Sequence, residues 1–316
     1  MLKEAFTAEV KAFSPYSFEL TVRKPAGWWW STPREIFYNF VLYTTARLNS
    51  RLYGLRLESN GTSPSQKVQF SVFSDKPIRD REKDHIIRTV ERALGVKENI
   101  NEFYEMAQKD TVLKQTVEDL WGMRTVAWPE LFPSLILAIT LQMAPMSRSN
   151  QMMNLLIENF GEAAEFDGRV ITHWPSPERL AMSNETELKN KAKLGYRARN
   201  LISIAQSLRE GFPTADQLSE MPPDDAKKLL MTLRGIGDYS ADLVAPGMGF
   251  PLDVWSAKIF GILLLGKEPE APRMAIPELK RIAEESWGKW RGHAFVYVLN
   301  DLPGISKRIG VDLTRF

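Results

Sequence analysis

The chain has no cysteine among its 316 residues, which excludes disulfides, thiolate zinc sites, iron–sulfur clusters and a cysteine nucleophile. Histidine is scarce as well, and His85, His173 and His293 stand too far apart in sequence to suggest a metal site. No apolar run reaches the length of a bilayer span, and the opening Met-Leu-Lys-Glu-Ala-Phe-Thr-Ala-Glu-Val lacks the apolar core of a signal peptide. A soluble protein of the cytoplasm or nucleoid, without a membrane partner, is the expectation. Charge of one sign is not in excess. Lys and Arg number 41 against 39 Asp and Glu, a net +2, so a site for a polyanion must be a local patch. Internal repeats and low-complexity tracts are absent from the sequence too.

What is present is enough apolar material to build cores, with 44% hydrophobic and 10% aromatic residues. The length suits one large domain or two to three smaller ones. The N-terminal stretch reads as β: Phe18, Leu20 and Val22 alternate, as do Val68, Phe70 and Val72. Asn60-Gly61 with Ser63-Pro64 marks a turn, and Phe40-Val41-Leu42-Tyr43 supplies a further strand or a buried helical turn. Trp28, Trp29 and Trp30 are consecutive and cannot share one face, which suits a packing anchor against a neighbouring domain.

From Asp80 the period becomes helical, with Ile86, Ile87, Val90, Ala93 and Leu94 on one stripe and Gly95 at a helix stop. Pro133 marks the start of a helix through Leu135, Ile136, Ile139 and Thr140, and Pro145 ends it. Ser147 is the candidate cap of the next helix, through Met152, Leu155, Leu156 and Phe160 to Gly161. Further helices are expected at about 185–210, 215–233, 239–246, 254–265, 277–286 and 291–300. The expected fold is α+β. An antiparallel β domain (1–79) precedes a large α-helical body (80–316), read as two helical subdomains with the cleft between them.

Two local features carry chemistry. Gly235-Ile236-Gly237 joins two helical patterns, where glycine permits positive φ or close approach of a ligand. The following helix start offers free N–H groups and a positive dipole end, although an ordinary helix–helix turn has the same pattern. Asp253, after Phe250-Pro251-Leu252, stands at the next helix start. It reads as an N-cap, and a carboxylate oriented by capping is also what a developing cation requires. Upstream, Lys189, Lys191, Lys193, Arg197 and Arg199 crowd around Gly195 and Tyr196, either as a solvated face or as a phosphate-neutralising surface.

At these residues the chain resembles the helix-hairpin-helix (HhH-GPD) DNA glycosylases of base-excision repair. Leu194-Gly195-Tyr196-Arg197-Ala198-Arg199 is similar to the segment before the hairpin in the 8-oxoguanine branch. Leu135 to Gln142 with Met143, and the run Trp287-Gly288-Lys289-Trp290-Arg291-Gly292-His293-Ala294, resemble the 3-methyladenine (alkylpurine) branch. The β region and the stretch from Phe103-Tyr104 to Gly122-Met123-Arg124 are similar to both.

The resemblance implies that Asp253 is the catalytic aspartate. It implies that Gly235, Ile236 and Gly237 grip the DNA backbone, with a monovalent cation and no other cofactor. Met143 falls where relatives push a side chain into the gap left by the extruded nucleotide, with core or helix end as the alternative. Gln142, Arg197 and Arg199 join it as expected DNA contacts. Tyr239 occupies the place of the lysine that bifunctional members use for a Schiff base, so removal of the base without strand cleavage is expected. Tyr239, Trp255 and Leu299 would wall the base pocket, and Leu299 departs from the aromatic found there in alkylpurine enzymes. The expected partner is double-stranded DNA with a damaged purine, bound by a monomer. The rival readings are a bifunctional 8-oxoguanine glycosylase/lyase and a non-catalytic helix-hairpin-helix DNA-binding module.

Overall fold

In the computed structural model, residues 1–48, 50–59, 67–125, 128–245 and 249–316 are described. Five strands, β1 (Lys3–Lys11), β2 (Ile36–Tyr38), β3 (Val41–Leu48), β4 (Arg51–Ser59) and β5 (Lys67–Ser74), form an antiparallel sheet in the order β1-β5-β4-β3-β2. Leu55 pairs with Val72 and Leu57 with Phe70, so alternation places these four side chains on one buried face. The helix Asp80–Leu94 covers that face with Ile86, Val90, Ala93 and Leu94, and Gly95 caps it at φ +62°. The boundary expected at 79/80 therefore does not separate two cores, because the first long helix completes the core of the sheet.

Several expectations are corrected. Phe18, Leu20 and Val22 lie in a short helix, Phe18–Val22, whose cap Ser17 accepts from the Leu20 N–H at 3.3 Å. Phe18 and Val22 are buried together because residues four apart share a helical face, and over five residues that spacing also satisfies alternation. The helical body contains a β-hairpin, β6 (Glu162–Phe166) and β7 (Arg169–His173). Phe166 packs on Phe73 and Tyr43 at the sheet's second face. Gly54 makes room for it, since a Cβ there would stand 2.5 Å from the Phe166 ring. Ser147 lies inside the helix Met146–Phe160, with Pro145 in the cap position. The stretch 185–210 is two helices, Glu185–Lys191 and Arg197–Arg209, broken where Lys193 and Gly195 both take positive φ. The turn expected at Asn60-Gly61 and Ser63-Pro64 lies outside the described residues, while the strands on either side of it pair.

The helices divide between two further cores. One holds Leu131–Leu141, Met146–Phe160, Arg197–Arg209 and the helical hairpin Pro223–Leu230 and Asp238–Val244. The other holds Val254–Leu265, Pro272–Trp287, Arg291–Asn300 and Leu302–Ile309, with Asn101–Ala107 and Lys114–Asp119. Leu243 packs against both. Among the described residues no helix is long and apolar enough to cross a membrane.

Candidate active site

Phe250 and Leu252 are buried in the second core and anchor the loop that delivers Asp253 to the start of the helix Val254–Leu265. Asp253 Oδ1 accepts from the Ser256 N–H and from Ser256 Oγ, each at 2.8 Å, while Ser256 Oγ accepts from the Asp253 N–H at 2.8 Å. Both bonds to the carboxylate fall on one oxygen. Oδ2 has no protein partner among the described residues. Capping thus uses one oxygen of the carboxylate, leaves the other free and fixes its direction.

Asp253 lines a cleft of about 640 Å³ between the two helical cores. Six aromatic side chains form its walls: Trp28, Trp29, Trp128, Tyr239, Trp255 and Phe295. Leu299 completes the far wall from the helix Arg291–Asn300. Tyr239, Trp255 and Leu299 are thereby brought together with Asp253. Burial, and next the Asp253 carboxylate, push the Tyr239 hydroxyl well above its ordinary value, so it stays a neutral phenol. No lysine or arginine is among the described lining residues. Lys258 points elsewhere: its Nζ pairs with Glu268 at 3.0 Å and lies 5.1 Å from the Phe316 ring centre.

Sequence reasoning missed four of the six aromatic walls, Trp28, Trp29, Trp128 and Phe295. Trp30 is the packing anchor, with Nε1 donating to the Ala93 carbonyl at 3.0 Å, whereas Trp28 and Trp29 turn into the cleft. Their loop is tied to the helical body by the Ala26 N–H, which donates to Asn300 Oδ1 at 3.0 Å. Phe295 lies four residues before Leu299 on one helical face, a spacing that would have found it.

At the hairpin, Ile236 is buried in the first core, and Gly235 takes φ +82°. A Cβ on Gly235 would stand 2.4 Å from Asn200 Nδ2. Gly237, by contrast, is in ordinary extended backbone and caps the second helix, so only the first glycine uses its freedom. Gln142 Nε2 donates to the Gly235 carbonyl at 2.7 Å and to Ser240 Oγ at 2.9 Å, tying the preceding turn to the hairpin. Beside it, Met143 is held at φ +49° and is 79% exposed, so it is not core. Its sulfur accepts from Arg273 Nη2 at 3.2 Å.

The expected basic surface is corrected. Arg197 is 9% exposed; its guanidinium donates to the carbonyls of Ile139 (3.2 Å) and Gln142, so it holds the Met143 turn instead of facing solvent. Arg199 and Lys189 both pair with Glu185, and Lys191 pairs with Glu187. Three of the five cations are thus paired with Glu185 and Glu187 of the helix Glu185–Lys191. A monovalent cation at the hairpin would need main-chain carbonyls. Those of Leu233 and Gly235 each accept one internal hydrogen bond, from the Ile236 N–H (3.1 Å) and from Gln142, which leaves each a second lone pair. Among the described residues no group of three His, Asp or Glu side chains gathers as metal ligands.

The chain is 25% identical over 243 residues to the DNA-3-methyladenine glycosylase of Bacillus subtilis (strain 168), covering 73% of this chain and 76% of that protein. Its homologues are DNA glycosylases. No family model matches the chain. Its fold is that of the 3-methyladenine DNA-glycosylase from Archaeoglobus fulgidus, with a TM-score of 0.71 at 18% identity over 93% of this chain and 98% of that one. The 8-oxoguanine glycosylase/lyase of Clostridium acetobutylicum is similarly folded, with a TM-score of 0.67 at 15% identity over 95% and 98% of the two chains. The resemblance to DNA glycosylases is thereby borne out, and the sheet-plus-helical-body architecture with it.

Proposed function

We propose that this protein is a base-excision repair DNA glycosylase that excises a damaged purine, alkylated or deaminated, and leaves the strand intact. The observation that carries the reading is Asp253: a carboxylate oriented through one oxygen, with the other free, in an aromatic cleft that holds no amine among its described residues.

A base in a duplex is out of reach, so the nucleotide must be turned out, with least cost at a damaged site. Met143, exposed on a turn held by Arg197 and Gln142, would fill the vacated place in the stack. Gly235 and Gly237 would hold the flanking backbone through their main-chain N–H groups, with Ile236 plugging the turn into the core. In the cleft the purine lies between ring faces, which favour an electron-poor or cationic base by stacking and cation–π attraction.

As the bond from the sugar C1′ to the purine nitrogen lengthens, its electron pair leaves with the base and positive charge grows on the sugar. Asp253 stabilises that charge, as carboxylates do in glycoside hydrolysis. Water then bonds to C1′ and gives a proton to the carboxylate, or through it to solvent. A purine already carrying alkyl charge leaves as a neutral base and needs no general acid, whereas a deaminated purine leaves as an anion and takes a proton from solvent water. A lyase would need an amine at the sugar, and Tyr239 is a neutral phenol.

The test is a panel of duplexes with single defined lesions, assayed for base release with and without alkali, together with borohydride trapping. Release that yields strand breaks only after alkali, without a trapped adduct, is expected. A covalent adduct would favour the glycosylase/lyase. Tight DNA binding, no release from any lesion and indifference to Asp253 would leave a binding module.

A further inference from the structure

Four charges meet beside the hairpin. Lys227 on its first helix lies 2.6 Å from both Asp238 Oδ1 and Asp242 Oδ1 on its second. Lys280, from the helix Pro272–Trp287 of the other core, lies 2.5 Å from Asp238 Oδ2 and 2.8 Å from Asp242 Oδ2. Each ammonium bridges both carboxylates. Burial works against the charge on Asp238, yet the bonds from Lys227 and Lys280 hold its carboxyl below the usual range. The Asp242 side chain is only 8% exposed, so removing one cation would leave a buried carboxylate undercompensated.

We infer that Lys280 is a positioning residue for the glycosidic step, clipping the hairpin, and with it Tyr239, to the lobe that carries Asp253. Tyr239 follows Asp238 and precedes Asp242 within one short helix, so the two anchored carboxylates flank it in the chain. On the other side, Leu279 and Ala283 seat Lys280's helix in the second core, where it packs on the helix that Asp253 caps. Lys227 fastens only the two hairpin helices to each other. Among the described residues, the ion pairs that cross from the hairpin's core to Asp253's core are those of Lys280. The separation of the stacking face from the carboxylate is therefore constrained by this side chain, alongside the packing of Leu243 against both cores. An error of about an ångström in such a separation can cost on the order of a hundredfold in rate.

The inference rests on the glycosylase reading, and the experiment separates the two. Single-turnover base release, affinity for lesion duplex and thermal unfolding are measured for wild type, Lys280→Met, Lys280→Arg and Lys227→Met. Lys280→Met should lose roughly tenfold in rate while affinity changes by less than about threefold, and Lys280→Arg should recover most of the rate. Lys227→Met should melt earlier, yet keep its rate within about threefold. Should Lys280→Met not fold, Lys280→Gln removes the charge of the same clip while leaving Lys227 on both carboxylates, and should show the same split between rate and affinity. An active wild type matched by Lys280→Met, a loss carried wholly by affinity, or an equal rate loss in Lys227→Met overturns the inference. Failure of wild type to release any base overturns the glycosylase reading, and the inference falls with it.

Discussion

Asp253→Asn separates chemistry from folding at this site. Asparagine ranks with aspartate as an N-cap, and its carbonyl can take the place of Oδ1 in accepting from Ser256 N and Oγ. What is lost in the folded state is the charge at a helix start, worth about 0.3–1 kcal/mol. For a chain of this size that corresponds to a melting shift of about 2 °C or less. On the proposed mechanism the cost in the reaction is larger. A carboxylate about 4 Å from a developing cation, at an effective dielectric of about 20, contributes about 4 kcal/mol. Removing it should slow base release by about a thousandfold, since each 1.36 kcal/mol is tenfold in rate. Asp253→Ala should slow release at least as much and also destabilise by about 1 kcal/mol, because the cap goes too. Single-turnover release, DNA affinity and thermal melting of the three proteins test this together. An Asn variant that keeps a tenth or more of the wild-type rate, or that melts as early as Ala, would falsify the division of labour between the two carboxylate oxygens.

Other outcomes follow from the same structure. Met143→Gly should not destabilise, because the side chain is exposed and glycine relieves φ +49°, but it should slow excision from paired duplex more than from a mispaired lesion. Gly235→Ala meets Asn200 at 2.4 Å in a left-handed conformation and should cost about 2–4 kcal/mol with weakened DNA binding; adding Asn200→Ala should recover the clash but not the backbone strain. Burial drives the Lys24 ammonium down to about 7 against the pull of Glu35 and Glu98. Between about 7 and the ordinary lysine value the unfolded chain binds one proton more than the folded chain, so this residue adds stability as pH rises through that window. Lys24→Met should remove that rise, and denaturant titrations at pH 7 and 9.5 should show wild type gaining on the variant.

Some of this protein was written locally. The helices Val254–Leu265 and Arg291–Asn300 coincide with their periodicity, and Asp253 is legible because capping is decided by its neighbours three residues on. Gly235 and Ile236 were readable for the same reason: positive φ and a buried plug are properties of one turn. Where two conformations share a pattern the sequence misled, as at Phe18–Val22, whose five-residue spacing fits a strand and a helix alike. Side-chain partners far along the chain were beyond it. Arg197 in a run of basic residues looked like a phosphate ligand, and only the folded chain spends its guanidinium on carbonyls 55 and 58 residues away. The triple tryptophan could not say which rings face the cleft until Asn300, 274 residues later, fixed the loop before them. Sequence alone therefore set the strand-then-helix order, the left-handed glycine at Gly235 and the capping carboxylate of Asp253, because each depends on residues close together in the chain. Tertiary structure alone decided the four further aromatic walls of the cleft, the burial of Arg197 and the clip by Lys280, because each depends on which distant surfaces meet.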